Sequence, residues 1–194
     1  MVDKVSNYLL DHFLYRGETV EGNEREIMLF GITRIVEDVP KYLFVFIVSL
    51  FFHILPQVGV VLLITILYKV LVGGAHARTN TECFIFTSLY FFIPVIIGKF
   101  VNVPVIYLYI VSALIFIYSL YVIYKHVPAD TEEIPILNKG KRKKYKIYAI
   151  VSIVFIYIST LVLTRFNEQY ARIVISTLFL IDFWISHFYT TFLP

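Results

Sequence analysis

The chain has 194 residues, of which 59% are hydrophobic and 16% are charged, and its mean hydropathy is +0.78. A soluble domain carries about 25% charged residues, so this composition excludes a chain whose whole surface faces water. A single cysteine excludes an internal disulfide, and the net charge of +3 is informative only through its distribution. Because backbone groups in lipid must be hydrogen-bonded within their own segment, the composition predicts an all-α integral membrane protein.

The first 41 residues are acidic and patterned rather than continuously apolar. Val5, Leu9 and Phe13 recur at a spacing of four, which is typical of one face of a helix. This pattern predicts one or two amphipathic helices, on the cytoplasmic side, that lie in the headgroup region or against the bundle. A second apolar stripe with helical spacing follows at Met28, Ile32, Ile35, Val36 and Val39.

Residues 42–68 contain no Asp, Glu, Lys or Arg, but Pro56-Gln57 and Gly59 interrupt them. A single span of this length would be about 40 Å long, whereas the hydrocarbon core is about 30 Å thick. Because Pro-Gln-x-Gly is typical of a turn, two short spans at about 42–55 and 58–72 are favoured over one.

The later spans are separated by polar residues. Their sequence predicts helices in a transmembrane domain over residues 42–190, with six spans in total, or five if the first pair forms one helix. The four later spans cover residues 84–98, 100–124, 147–164 and 173–189.

Lysine and arginine orient these spans. The loop at 125–146 holds seven of them, which predicts that it is cytoplasmic. The loop at 69–83 lies two spans earlier and falls on the same side, as do both termini. In this arrangement 14 of the 17 Lys and Arg residues are cytoplasmic, and three are outside: Lys99, Arg165 and Arg172.

The loop at 69–83 carries the residues best suited to chemistry. A thiol attacks a carbonyl as its thiolate, and a nearby imidazole can accept the proton and return it to a leaving group. His76 and Cys83 are seven residues apart, so two helical turns would bring them to nearly the same face. Gly73 and Gly74 would let the backbone approach a substrate and leave N–H groups for an oxyanion.

Each of these residues also has an ordinary structural explanation. A lone cysteine at the start of an apolar helix often serves as a small hydrophobe, and a histidine in a loop is often only solvated. Asp182, inside the last span, is a candidate for a third, orienting acid, while a polar packing contact between helices would explain it equally. The scattered histidines and single cysteine do not form a metal site, and no cofactor is predicted.

Two segments of the sequence resemble the AgrB family of bacterial membrane endopeptidases. One is Gly73-Gly74-x-His76-Ala77 followed by Cys83, and the other is the stretch 127–136 followed by a Lys/Arg cluster. With the chain length, the amphipathic N-terminal region and the spans, the resemblance covers essentially the whole chain.

The resemblance implies an activity at the cytoplasmic face of a bacterial cell membrane. Proteins of this family cut the C-terminal tail from an AgrD-like propeptide. Cys83 would hold the N-terminal fragment as an acyl-thioester, and His76 would be the general base and acid. A cysteine of the peptide would then close a thiolactone, the precursor of a quorum-sensing signal.

A basic cluster next to the fifth predicted span has two compatible explanations. Its charges set the topology and bind anionic lipid headgroups, at about 1 kcal/mol per charge. The resemblance adds a second role, which is to grip the acidic tail of the propeptide. The residues of this basic cluster are Lys139, Lys141, Arg142, Lys143 and Lys144.

Other classes of function are open on the sequence alone. The alternative to a peptidase is a non-catalytic multi-pass membrane partner or a transporter accessory protein. Nucleic-acid binding by the basic cluster is not expected, because the cluster flanks a membrane span. A homo-oligomer is compatible with the sequence.

Overall fold

A computed structural model of the chain describes residues 2–14, 23–73, 79–129 and 138–192. These residues form seven helices, and no β-strand occurs among them, so the predicted all-α class is confirmed. The helices are α1 (Val2–Leu9, extended by a π-helical turn at Leu10–Leu14), α2 (Asn23–Phe51), α3 (Leu55–Val72), α4 (Asn80–Phe100), α5 (Val105–His126), α6 (Lys139–Phe166) and α7 (Glu168–Phe192).

The first compact unit, Met1–Phe52, contains α1 and α2. Arg25 on α2 pairs with Asp11 after α1 at 3.2 Å. The helices predicted for the N-terminal segment are therefore present. However, α2 continues without a break past residue 41, where the charged stretch ends, and includes the first ten residues of the span predicted at 42–55.

A break at residues 52–54 separates α2 from α3, and His53 within it has a positive φ of 53°. The apolar stretch at 42–68 therefore belongs to two helices, as favoured from the sequence. The turn predicted at Pro56 is misplaced by a few residues. Pro56 lies in the first turn of α3, where its missing N–H removes no helical hydrogen bond.

Four helices of the described chain, α3 to α6, are long and apolar enough to cross a membrane. Three of them correspond to the spans predicted at 84–98, 100–124 and 147–164. The fourth, α3, contains the span predicted at 58–72. Neither α2 nor α7 is among the four, so the count of six spans stays a prediction.

The second compact unit, His53–Pro194, contains α3 to α7. Its outer surface is apolar. Large apolar side chains point away from its core, including those of Ile66, Ile96, Ile117 and Phe155, each more than half exposed. Buried hydroxyls instead donate to carbonyl oxygens three or four residues earlier in their own helices, at 2.7 to 2.9 Å. This arrangement suits helices surrounded by lipid. The hydroxyls belong to Ser112, Thr160, Thr164 and Thr177.

Helix α7 is the central helix of this unit. It packs against α3, α4, α5 and α6, and residues 171–178 are all buried. This buried stretch also contains polar side chains, those of Arg172, Ser176 and Thr177. The Ser176 and Thr177 hydroxyls donate to carbonyl oxygens of α7 itself, whereas the Arg172 side chain finds its partner on α4.

Gly98 lets α4 and α7 approach closely. A Cβ atom at this position would lie 2.4 Å from Cγ1 of Ile173 and 3.1 Å from the carbonyl oxygen of Gln169. The Arg172 side chain donates to the Gly98 carbonyl oxygen through Nε at 3.2 Å and Nη2 at 3.1 Å. Glycine is therefore required here for helix packing, and the contact fixes one end of an antiparallel helix pair.

Candidate functional site

Cys83 lies in the first turn of α4 and is partly buried. Its backbone N–H donates to the Thr79 carbonyl oxygen at 3.0 Å, and the Thr79 hydroxyl accepts the N–H of Glu82 at 3.2 Å. Thr79-Asn80-Thr81-Glu82 is a Ser/Thr-x-x-Glu sequence, which caps helix N-termini. The local sequence therefore starts the helix just before the cysteine, at the end where the helix dipole favours negative charge.

His76 and Gly74 lie outside the described residues. The predicted pairing of His76 with Cys83 therefore stays a prediction, as does an oxyanion role for the Gly74 N–H. The two helices that flank them are described: α3 ends at Val72 and α4 begins at Asn80. Cys83 is thus seven residues after His76 in sequence and one turn inside the second of these helices.

Gly73, the first glycine of the pair, is fixed against the chain itself. It has a φ of 87°, and a Cβ atom here would lie 2.5 Å from the Ala129 carbonyl oxygen. The Ala129 N–H donates to the Val72 carbonyl oxygen at 2.8 Å, and Gly73 and Ala129 form an isolated parallel bridge. The Gly73 N–H donates to the Lys69 carbonyl oxygen at 2.9 Å and is therefore already used.

This contact joins the two loops that the sequence singles out. Residues 127–129 follow α5 and open the loop that precedes the basic cluster. Gly73 opens the loop that carries His76. Gly73 therefore approaches Ala129 and holds residues 73 and 129 together, whereas the predicted approach of its backbone to a substrate stays a prediction.

The end of α3 next to this contact is irregular. Its Thr65–Lys69 segment is a π-helix, a form often found at functional sites. Ser152 on α6 donates to the Leu67 carbonyl oxygen at 2.5 Å, and the Thr65 and Tyr90 hydroxyls are 2.6 Å apart. Side chains from α4 and α6 thus hold the π-helical turn in place.

Asp182 on α7 is completely buried and joins three helices. Tyr68 on α3 donates its hydroxyl to Oδ1 at 2.8 Å, and Ser119 on α5 donates to Oδ2. Both carboxylate oxygens therefore have partners in the bundle, which fits the packing explanation that the sequence left open. The orienting role toward a histidine stays a prediction.

The basic cluster forms the first turns of α6 rather than part of a loop. The helix begins at Lys139, eight residues before the start of the span predicted at 147–164. Asn138 caps it by accepting the N–H groups of Gly140 and Lys141 at 2.8 and 3.3 Å. The cluster is exposed, and cations at a helix N-terminus oppose the helix dipole. Its charges therefore do not stabilise the helix on which they lie.

The sequence did not predict the roles of several residues in this region. Tyr68 and Ser119 bind Asp182, and Tyr90 contacts Thr65, through the packing of helices that are distant in sequence. Trp184 on α7 packs against Phe86 on α4, with ring centroids 4.6 Å apart. Polar side chains recurring within apolar helices were the available signal, since such residues need partners in lipid.

A metal site was not predicted, and the described residues offer little for one. Among them, no group of three or more His, Cys, Asp or Glu side chains could hold a metal ion.

Comparisons with known proteins give a consistent result. The sequence model of the accessory gene regulator B (AgrB) family matches residues 2–188. An AgrB-like protein of Clostridium perfringens strain SM101 is 28% identical over 133 residues, which cover 64% of this chain and 60% of that protein. AgrB-like protein 2 of Clostridium perfringens strain 13 is 24% identical over 153 residues, or 75% of this chain and 69% of that protein. No solved structure matches the chain.

Proposed function

The chain belongs to the accessory gene regulator B family, and we propose that it is a membrane cysteine endopeptidase that removes the C-terminal tail of an AgrD-like propeptide. The four apolar helices and the family membership make it a membrane protein. One observation supports the chemistry most directly: the single cysteine of the chain lies in the capped first turn of an apolar helix.

The proposed reaction has two acyl transfers. The Cys83 thiolate attacks a peptide carbonyl carbon, a C–S bond forms, the C–N bond breaks, and the tail leaves as an amine that takes its proton from the His76 imidazolium. A thiolate within the peptide then attacks the thioester. The new C–S bond closes a thiolactone, and Cys83 leaves as thiolate.

A thioester suits this sequence of steps. Transfer of the acyl group from one thiol to another is nearly isoenergetic, whereas hydrolysis would lose the activated acyl group. An internal thiol held close to the thioester has a high effective concentration, which favours cyclisation over attack by water.

The covalent intermediate provides the direct test of the proposal. Purified protein in lipid vesicles is incubated with a propeptide whose internal cysteine is replaced by alanine, so that cyclisation cannot release the enzyme. We expect a protein species heavier by the mass of the N-terminal fragment and removed by hydroxylamine, which cleaves thioesters. Absence of this species in protein that is correctly inserted would contradict the proposed mechanism.

The site is proposed to face the cytoplasm, and the structure suggests where to probe this. Asn102 lies between α4 and α5, and Asn167 lies between α6 and α7, and both are exposed. In a Cys83→Ala background, an impermeant thiol reagent applied outside the cell should label a cysteine placed at Asn102 or Asn167. It should not label a cysteine at Lys139. Labelling at Lys139 from outside would move the site to the other face.

The basic cluster is proposed to bind the acidic tail of the propeptide. Its exposure, and the fact that it opposes the dipole of α6, support a role outside the helix itself. Replacing Lys141, Arg142, Lys143 and Lys144 with glutamine should lower the rate of tail removal by about tenfold or more, at roughly 0.3–1 kcal/mol for each lost exposed charge contact. Cleavage is followed by mass spectrometry in vesicles of neutral lipid, which removes competition by anionic headgroups.

A charge reversal separates tail binding from topology. The four residues are changed to glutamate, and the propeptide carries lysine in place of its acidic tail residues. If the glutamate variant cleaved the propeptide with the lysine tail but not the one with the acidic tail, direct contact between the cluster and the tail would be supported. Equal cleavage of both propeptides by both proteins would leave the cluster with its role in topology.

A further inference from the structure

The π-helical turn of α3, Thr65–Lys69, sets the direction of the residues that follow it. The Val70 N–H donates to the Thr65 carbonyl oxygen, five residues earlier. Such a turn holds about one residue more than an α-helical turn, so its conversion to an α-helical turn would rotate the following residues by about 100° about the helix axis. Gly73, three residues after Val70, forms the bridge with Ala129. The contact between Gly73 and Ala129 therefore depends on the form of this turn.

Side chains from neighbouring helices bind the atoms of the turn itself. The Thr65 hydroxyl donates to the Val61 carbonyl oxygen at 2.7 Å, so it accepts the hydroxyl of Tyr90 on α4 at 2.6 Å. Ser152 on α6 donates to the Leu67 carbonyl oxygen at 2.5 Å. A π-helical turn is rarer than an α-helical turn, and bonds to its own residues favour it over the common form.

Tyr68 lies inside the same turn and is bound from two further helices. Its side chain is completely buried, and its hydroxyl donates to Oδ1 of Asp182 on α7 at 2.8 Å. Asp182 is completely buried as well, and its Oδ2 accepts the hydroxyl of Ser119 on α5. The turn is thus connected to all four of the other helices in its unit.

We propose that Asp182 is a positioning residue of the peptidase, which acts through Tyr68 to hold the end of α3 in the π-helical form in which Gly73 meets Ala129. This inference rests on the proposed function. The role requires an acceptor for the Tyr68 hydroxyl and a partner for Ser119, and it requires no proton transfer. It therefore differs from the role of an orienting acid, which acts on a histidine through its carboxylate.

Two substitutions of Asp182 separate these roles. The asparagine side chain of Asp182→Asn can accept from Tyr68 through its oxygen and donate to Ser119 through its nitrogen. Ser119 can then donate to the Ile115 carbonyl oxygen, which is 2.9 Å from its own oxygen. Asp182→Leu has a similar shape and makes neither bond. Tyr68→Phe removes the hydroxyl of the partner and keeps its ring.

Hydrogen exchange of the Ala129 N–H tests the positioning without any propeptide. This N–H donates to the Val72 carbonyl oxygen at 2.8 Å, beside the Gly73 contact. For the full chain in vesicles, exchange is followed by mass spectrometry of the fragment that contains Ala129. We expect exchange about tenfold faster in Tyr68→Phe and Asp182→Leu than in wild type, because the loss of a buried hydrogen bond shifts such an equilibrium by about this factor. Asp182→Asn should restore the slow exchange that Asp182→Leu loses.

Tyr118→Phe is the matched control. It removes a hydroxyl that contacts Ser186 at 2.6 Å between α5 and α7, without a residue of α3. Exchange of the Ala129 N–H should stay at the wild-type rate in this variant. Wild-type exchange in Tyr68→Phe, or equally fast exchange in Tyr118→Phe, would overturn the proposal.

Cleavage of the propeptide links the positioning to the reaction. Tyr68→Phe should lower kcat/KM by about tenfold in the wild-type background but change it little in a Gly73→Ala background, where the contact is already lost. Losses that multiply in the double variant would indicate two independent effects and overturn the proposal. So would an Asp182→Asn variant with slow exchange and no cleavage, which would assign the residue to an orienting acid. The expected exchange pattern in a protein that cleaves no propeptide would support the positioning and reject the proposed function.

Discussion

Cys83→Ala should abolish cleavage of the propeptide while leaving insertion and abundance unchanged. The chain has no other thiol, so no residue can replace the nucleophile. The side chain lies in the first turn of α4 and is only partly buried, so removal of its sulfur should disturb packing little. Cleavage in vesicles is followed by mass spectrometry at equal amounts of inserted protein.

Cys83→Ser is the closest variant in shape and should also be nearly inactive. An alcohol ionises far less readily than a thiol, and an acyl ester exchanges with the peptide thiol less readily than a thioester does. A non-catalytic membrane partner or a transporter accessory protein would tolerate both substitutions. Wild-type cleavage by Cys83→Ala would therefore favour those alternatives and reject the peptidase.

His76→Ala should also fail near neutral pH, but less completely. A thiolate fraction forms without a general base and grows as the pH rises, so increasing the pH should restore part of the activity. The same increase should restore nothing to Cys83→Ala. A His76→Ala variant that stays at the same residual rate from neutral to alkaline pH would contradict a base role for this histidine.

The fold class and most of the helices were predictable because lipid imposes simple requirements. Apolar segments of sufficient length, bounded by Lys99, Pro104 or the basic cluster, must be helical, and α3 to α6 are. The helix ends were less predictable. Pro56 was expected to form a turn, but a proline is equally suited to the first turn of a helix, and the break at 52–54 contains no proline or glycine.

The basic cluster was predicted as a loop because the predicted span included only the apolar part of the helix. Lys and Arg have good helix propensities, and a span can begin beyond the hydrocarbon core. The signal that was available is Asn138, a residue favoured at helix N-caps, directly before the cluster. The length of a continuous apolar segment predicts the part of a helix that lies in lipid. It does not predict the helical turns that continue outside the hydrocarbon core.

The candidate site was predictable only in part. The capped start of α4 depends on residues that are close in sequence, so the pattern Thr-x-x-Glu at Thr79 and Glu82 predicts it, and with it the position of Cys83 in the first turn. The partners of Asp182 lie on α3 and α5, 114 and 63 residues away, and a single sequence does not specify such pairings.

The contact between Gly73 and Ala129 leads to the last prediction. Gly73→Ala should lower the rate of propeptide cleavage by about tenfold or more, with the bundle still inserted. An L residue at a φ of 87° costs about 1–2 kcal/mol, and its Cβ would lie 2.5 Å from a backbone oxygen that cannot move as a side chain does. The strain should open the Val72–Ala129 hydrogen bond and release the start of the loop that carries His76.

Gly59→Ala is the matched control, because Gly59 lies on the same helix and a Cβ there has no heavy atom within 4 Å. It should leave cleavage unchanged and stabilise the helix by about 0.5–1 kcal/mol, as alanine does at such a position. Cleavage and thermal unfolding are measured for both variants beside wild type. If Gly73→Ala cleaved as fast as Gly59→Ala, the joined loop starts would have no part in the reaction. A large loss confined to Gly73→Ala, with Cys83 still open to alkylation, would show that cleavage needs the contact between Gly73 and Ala129 as well as the thiol.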